Sequence, residues 1–137
     1  MAGNIHLEVV TPKKIVVSEE VQIVASPGSL GEFGVLSGHT PFLTTLNTGI
    51  MRYTDLNEKE YYVFVSGGFA EALPDKVTVL AESAERRSDV DLERAKAAME
   101  RAEKRLAEER SREDIDFARA RGSLERATVR IRLVGLS

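Results

Sequence analysis

Two periods divide the chain. Apolar and polar residues alternate through the first eighty positions, and a three-four spacing governs the last fifty. Ile5, Leu7 and Val9 alternate with His6 and Glu8, the period of a half-buried strand, and Pro12 ends it. Two short β-branched runs follow at 15–17 and 21–24, separated by the polar Ser18, Glu19 and Glu20. Positions 48–54 and 60–66 read as strands of a hairpin, joined by the polar stretch 55–59. Gly67 and Gly68 break the second strand, 69–73 forms another run, Pro74-Asp75 turns, and Val77, Val79 and Ala81 alternate again. Short strands with frequent turns and no helix-period segment predict a sandwich or flattened barrel.

Within this unit the stretch 31–46 carries the most local information. Gly31, Gly34 and Gly38 sit among apolar residues, which predicts a tightly bent loop because glycine tolerates positive φ and close backbone approach. Pro41 then holds Thr40 extended, and Phe42, Leu43 and Leu46 return the chain to a buried strand. Such a loop reads as a surface presented to a partner.

After Leu80 the composition changes. Positions 88–110 lack glycine and proline and are dominated by Ala, Glu, Arg, Lys and Leu, all good helix formers. Ser88-Asp89-Val90-Asp91 is a capping signal, and Leu92, Ala95, Met99, Ala102 and Leu106 form one apolar stripe. Ser111-Arg112-Glu113-Asp114 repeats the cap, and Phe117, Ala120, Leu124, Ala127 and Ile131 repeat the stripe. Two amphipathic helices with a short connection predict an antiparallel hairpin. The fold class is therefore α+β: an all-β sandwich over 1–84, then a two-helix hairpin over 85–137. The alanines in both stripes permit close approach but bury little apolar area, which suits a hairpin that detaches or rearranges.

Composition narrows the function. With 42% hydrophobic residues the chain has material for a core, and a net charge of −3 gives no electrostatic case for nucleic acid. There is no cysteine, so disulfides and thiolate metal sites are excluded and a cytoplasmic setting is favoured. No signal-peptide pattern opens the chain and no apolar run approaches ~20 residues, so membrane attachment is expected only through a partner. His6 and His39 are the only histidines, too few for a histidine-rich metal site, and no serine elbow, Walker loop or dinucleotide fingerprint is present. His6 reads as ordinary surface, and His39 as a brace for the loop. An enzyme acting alone is not the expectation. Gly122 reads as a tolerated surface position within the second helix.

One charge pattern remains. Arg94 and Arg101 are seven apart beside Ala95 and Ala102, and Arg126 and Arg130 are four apart beside Ala127 and Ile131. In a closed hairpin four guanidiniums on these edges suit an anion such as a nucleotide phosphate, although arginine spacing this simple also arises on ordinary solvated helix faces.

The wording of the chain adds to this. Gly31-Glu32-Phe33-Gly34-Val35-Leu36 and Gly38-His39-Thr40-Pro41-Phe42-Leu43 resemble the signature of the epsilon subunit of F-type ATP synthase. The opening 7–12, Ser66-Gly67-Gly68-Phe69, the run 77–81 and the helical tail extend the resemblance over essentially the whole chain. Ser37 departs from it, standing where the family often has proline. The resemblance implies a non-catalytic rotor subunit of the bacterial type, peripheral on the cytoplasmic face of the membrane. It would bind the gamma subunit and the c ring, and reach the alpha/beta catalytic head through helices that inhibit hydrolysis. By position it makes Glu32 a c-ring contact, with His39 beside that surface. Some members bind ATP through Ile or Leu, Asp, two residues and Arg, to which Val90-Asp91-Leu92-Glu93-Arg94 is similar. Glu85, Asp91, Arg94, Arg101, Arg126 and Arg130 are then the candidate ATP residues, with ATP a regulatory ligand and no cofactor required. The competing reading is a stand-alone ligand-binding sandwich with a coiled-coil arm, which co-purification with a gamma-type partner separates from the first.

Overall fold

A computed structural model describes residues 3–29, 31–108 and 114–136, with side chains in the last segment from 117 onward. The chain divides into two compact units, Met1–Arg87 and Ser88–Ser137.

The first unit holds nine described strands: β1 (Ile5–Val10), β2 (Ile15–Gly28), β3 (Gly31–Leu36), β4 (Phe42–Thr45), β5 (Gly49–Asp55), β6 (Glu60–Ser66), β7 (Phe69–Leu73), β8 (Lys76–Leu80) and β9 (Ser83–Arg86). Their order is β4-β7-β8-β1-β2-β5-β6-β9, with β3 also paired to β2. Only β1 and β8 run parallel. Alternation works as expected in β1, where Ile5, Leu7 and Val9 are wholly buried while His6 and Glu8 face outward. The inward residues of all the strands meet in one core, including Val21, Val24, Met51, Tyr53 and Val79. The sheet folds back on itself: a bridge between Gly28 and Leu46 brings the end of β2 to the chain just beyond β4.

Three expectations for this unit are corrected. The two β-branched runs at 15–17 and 21–24 are one strand of 14 residues. Ser18, Glu19 and Glu20 stay extended because β1 pairs with them: Ser18 and Glu20 lie on the wet face opposite Glu8 and His6, while Glu19, opposite Leu7, is half-buried near Tyr53. β2 can be this long because it changes partners: β1 takes Ile15 to Val21, β5 takes Val21 to Ala25, and β3 takes Ile23 to Gly28. The glycine stretch is likewise less bent than expected. Gly31–Leu36 is a strand despite Gly34, because each of its residues has a partner on β2. The bend falls at Gly38, whose φ of 83° places it in the left-handed region that glycine tolerates best. Leu43 is 67% exposed rather than buried, since β4 turns Phe42 and Thr44 inward instead.

In the second unit a short 3-10 turn, Arg87–Asp89 at the junction, precedes α1 (Leu92–Glu108) and α2 (Asp114–Val134), which pack as a hairpin. α1 starts later than its first capping signal. Asp91, not Ser88, is the cap: its carboxylate accepts the Arg94 N–H at 3.0 Å and its carbonyl accepts that of Ala95. The second cap, at Ser111, lies outside the described residues. Ala95, Ala102, Ala120 and Ala127 are buried as the stripes predict. Phe117, however, is 37% exposed, while Val129 and Leu133, outside the stripe, are buried. The buried face of α2 is therefore wider than the three-four spacing indicates and drifts around the helix toward its C-terminal end.

Candidate functional site

The stretch around Glu32 is built by β3, β2 and β5. Residues 32, 34 and 36 of β3 point away from the core, as do Ile23 and Ala25 of β2 and Arg52 of β5. Ala25 is paired with Gly34 on one side and Arg52 on the other. The small residues at 25 and 34 leave a low saddle, across which Arg52 Nη2 donates to Glu32 Oε1 at 2.8 Å. Beside this pair Ile23 and Leu36 face each other across the strands and are exposed.

His39 closes the turn that follows. Its Nδ1 donates to the Thr40 carbonyl at 2.6 Å, and its ring meets Phe42 edge-on at 5.1 Å. Phe42 in turn stands edge-on to Phe33 at 5.0 Å, so the turn is braced from β4 back to β3. The loop's conformation is thus set by its own side chains, with His39 half-buried rather than fully projecting.

The opposite part of the sheet exposes apolar groups in register. Ile15 pairs with Val10, Val10 with Leu80, and Leu80 with Phe69, so one cross-strand row runs over β2, β1, β8 and β7. Ile15 is 63%, Phe69 44% and Leu80 41% exposed. Scattered exposed leucines need no explanation, but a contiguous row on neighbouring strands is the signature of a covered surface. The same register forces Gly68: a Cβ there would lie 1.9 Å from the Leu80 carbonyl oxygen.

Sequence reasoning missed Arg86 altogether. On β9 it donates through Nε to the Val16 carbonyl at 2.9 Å and through Nη1 to the Tyr53 hydroxyl at 3.2 Å, tying β9 to β2 and β5. Burial pushes the Tyr53 phenol up to about 12, against the opposing charge of Arg86. No pattern signals this pairing, because residues seventy apart meet only once the register is fixed. His6 is also more than plain surface. Its two ring nitrogens lie 3.2 Å from Glu8 and 3.1 Å from Glu20, a cross-strand polar cluster on β1 and β2.

The candidate nucleotide residues are split between the units. Glu85 is half-buried on β9, paired with Phe64 in the ladder of the first unit. The other five belong to the helices. Asp91 already spends a carboxylate oxygen on the α1 cap. Arg94 and Arg101 are exposed on one edge of α1, beside the buried Ala95 and Ala102. Arg126 and Arg130 are half-buried on α2, and Arg126 Nη2 donates to Ser123 Oγ at 3.3 Å. Both arginine pairs therefore border the buried alanine seam, which is where the spacing puts them. Among the described residues no group of three or more His, Asp or Glu side chains is arranged to hold a metal, and no helix is long and apolar enough to cross a membrane.

A β-sandwich with an apolar row open on one face, followed by a helical hairpin lined with alanine, defines a class: a two-unit protein of sheet and helical hairpin. Comparison with known proteins gives the family. Residues 4–87 match the family model described as the ATP synthase delta/epsilon chain beta-sandwich domain, and residues 88–135 match its long alpha-helix domain. Over 106 residues the chain is 66% identical to the ATP synthase epsilon chain of Desulfosudis oleivorans, covering 77% of this chain and 80% of that one. It is 67% identical over 108 residues to that of Desulforapulum autotrophicum, covering 79% and 80%. Its fold resembles a chain in the cryo-EM structure of Euglena gracilis mitochondrial ATP synthase (OSCP/F1/c-ring), with a TM-score of 0.78 at 24% identity, over 91% of this chain and 78% of that one. The chain belongs to the ATP synthase delta/epsilon family, as a bacterial-type epsilon subunit.

Proposed function

We propose that this subunit is a rotor element that joins the gamma subunit to the c ring through its sheet unit and restrains ATP hydrolysis through its helices. The observation that carries the docking role is the row Ile15, Val10, Leu80 and Phe69. Burying it removes apolar area from water at about 25 cal/mol per Å², a gain only a partner surface supplies. Glu32, with His39 beside it, is the contact to the c ring, and the helices reach the alpha/beta head. The subunit sits on the cytoplasmic face of the bacterial membrane, attached through its partners, and has no nucleic-acid ligand.

ATP acts on it as a regulatory ligand, held by Arg94 and Arg101 of α1 and Arg126 and Arg130 of α2, with Asp91 contributing. Phosphate drawn to these guanidiniums favours the closed hairpin, and loss of ATP favours an extended inhibitory form. Two measurements test the proposal. The chain is expected to co-purify with a gamma-type partner, and Leu80→Lys to abolish this; recovery of the chain free of any such partner overturns the docking role. Calorimetric titration of ATP is expected to show binding that the double variant Arg94→Ala, Arg101→Ala loses. No heat at millimolar ATP removes the nucleotide site and leaves docking untouched.

A further inference from the structure

The Glu32 carboxylate has little to hold it in place. Its neighbour Gly31 has φ of 124° and no side chain, and a Cβ built there would touch nothing within 4 Å. Gly34, two residues on along the same face, is equally open, with only the Val24 carbonyl oxygen near at 3.9 Å. Among the described strands β3 pairs with β2 alone, so Glu32 stands on an edge strand with a side chain 57% exposed. Its sole side-chain partner among the described residues is the guanidinium of Arg52, which likewise has no other side-chain hydrogen bond there.

An exposed ion pair of this kind adds little to stability, because water and salt compete with both charges. What it does supply is orientation. Left alone, an exposed glutamate preceded by Gly31, with Gly34 next on its face of the strand, samples many rotamers, and a partner that binds one of them must freeze the rest. We propose that Arg52 is a positioning residue for Glu32: its Nη2 fixes Oε1 across the saddle of Ala25 and Gly34, leaving Oε2 presented outward to a hydrogen-bond donor or cation of the docking partner. The inference rests on the reading of Glu32 as a rotor contact. It also explains the small residues beneath the pair, since a long side chain at 25 or 34 would stand between the two charged groups.

The test is a double-mutant cycle on the full chain, titrated onto membranes that carry the ATP synthase stripped of this subunit, at low and high salt. Glu32→Gln is expected to weaken binding. Arg52→Gln is expected to weaken it by roughly three- to tenfold, the cost of immobilising one side chain. Arg52→Lys recovers only part, because it keeps the charge without the planar fork. Adding Arg52→Gln to Glu32→Gln costs nothing further, and the thermal midpoint of each variant stays near that of the parent chain. If Glu32→Gln weakens binding while Arg52→Gln leaves it unchanged or tightens it, the positioning role is overturned and the contact stands. Penalties that add in the double variant overturn it too, because Arg52 then acts independently of Glu32. Glu32→Gln binding as tightly as the parent chain overturns the contact itself, and the inference with it.

Discussion

The two units are stabilised by different means. The sheet unit buries Tyr53, Ile5, Leu7 and Met51 completely, together with valines from five strands. The buried helical residues are Ala95, Ala102, Ala120, Ala127, Val129 and Leu133, four alanines among six described. A buried methyl contributes under about 1 kcal/mol, against about 1.5–3 for a valine, leucine or phenylalanine side chain. The sheet unit is accordingly held by a large apolar core, whereas the hairpin is held by a narrow seam and the intrinsic preference of its residues for helix. Four substitutions or conditions test how sharp that contrast is.

The largest effect is expected at Gly68. A Cβ there would overlap the Leu80 carbonyl oxygen, and the residue has φ of 94°. Neither can be relieved without moving β7 off β8, whose pairing begins at Phe69 and Leu80. Gly68→Ala should cost about 3 kcal/mol or more, enough to unfold much of the sheet unit at working temperature. Circular dichroism melts of the parent and variant chains measure this directly. A variant that melts with the parent would mean the sheet yields as readily as the helices.

Alkali should separate the units next. Tyr53 is buried and its phenol is pushed up to about 12 from the ordinary 10.0. A raised pKa means that the folded state holds this proton more tightly than the unfolded state. The stabilisation is therefore complete below pH 10 and is lost as pH rises toward 12, by on the order of 2–3 kcal/mol. Tyr53→Phe should remove that loss, at the expense of the Arg86 hydrogen bond at neutral pH. Helical hydrogen exchange measured over the same range should show no step attributable to Tyr53. Asp55 works in the opposite sense at acid pH: the Lys59 backbone N–H, foremost, holds its carboxyl below the usual 3.8, so its contribution disappears as pH falls through that lowered value.

How much of this was legible in the sequence follows from the range of each interaction. β1, β7 and β8 were readable because alternation is local, β6 because its apolar run is bounded by a polar turn and Gly67-Gly68, and the helical seam because three-four spacing is local. β2 was read as two strands since its acidic middle looks like a loop until β1 is paired with it. β9 was missed, as four residues carrying two charges have no pattern of their own. Of the candidate site, Glu32 and His39 are singled out only by the resemblance carried in the glycine stretch. Arg52 is not, because its meaning depends on β2 lying between it and Glu32. Hydrophobicity alone points Leu43 and Phe117 inward, but Leu43 is 67% and Phe117 37% exposed, because the facing of a residue is set by register and helix packing that no local pattern carries.

A cap substitution probes the hairpin alone. Asp91→Ala removes the acceptor for the Arg94 N–H and should cost about 1 kcal/mol, confined to the first turn of α1. Hydrogen exchange should quicken there and remain unchanged in the β1 and β8 amides; a change in both would mean the units unfold as one. Asp91→Asn keeps the cap while removing the charge. It therefore separates capping from any part Asp91 plays toward ATP: exchange should stay slow while nucleotide affinity changes.

Gly122 provides the smallest effect and the most pointed contrast with Gly68, since the same substitution should act with opposite sign. A Cβ at 122 would meet only Arg126 Nη1, at 3.1 Å, the far end of a flexible side chain that can swing aside. Gly122→Ala should therefore stabilise α2 by about 0.5–1 kcal/mol, through the backbone entropy that glycine loses in a helix. If the hairpin opens to a form in which residue 122 is no longer helical, that gain shifts the equilibrium toward the closed form about two- to fivefold. Hydrogen exchange in α2 should slow by that factor, with inhibition of hydrolysis in the assembled enzyme weakened to match. Slower exchange with unchanged inhibition would mean that closure of the hairpin does not govern hydrolysis, and that the marginal seam serves assembly rather than control.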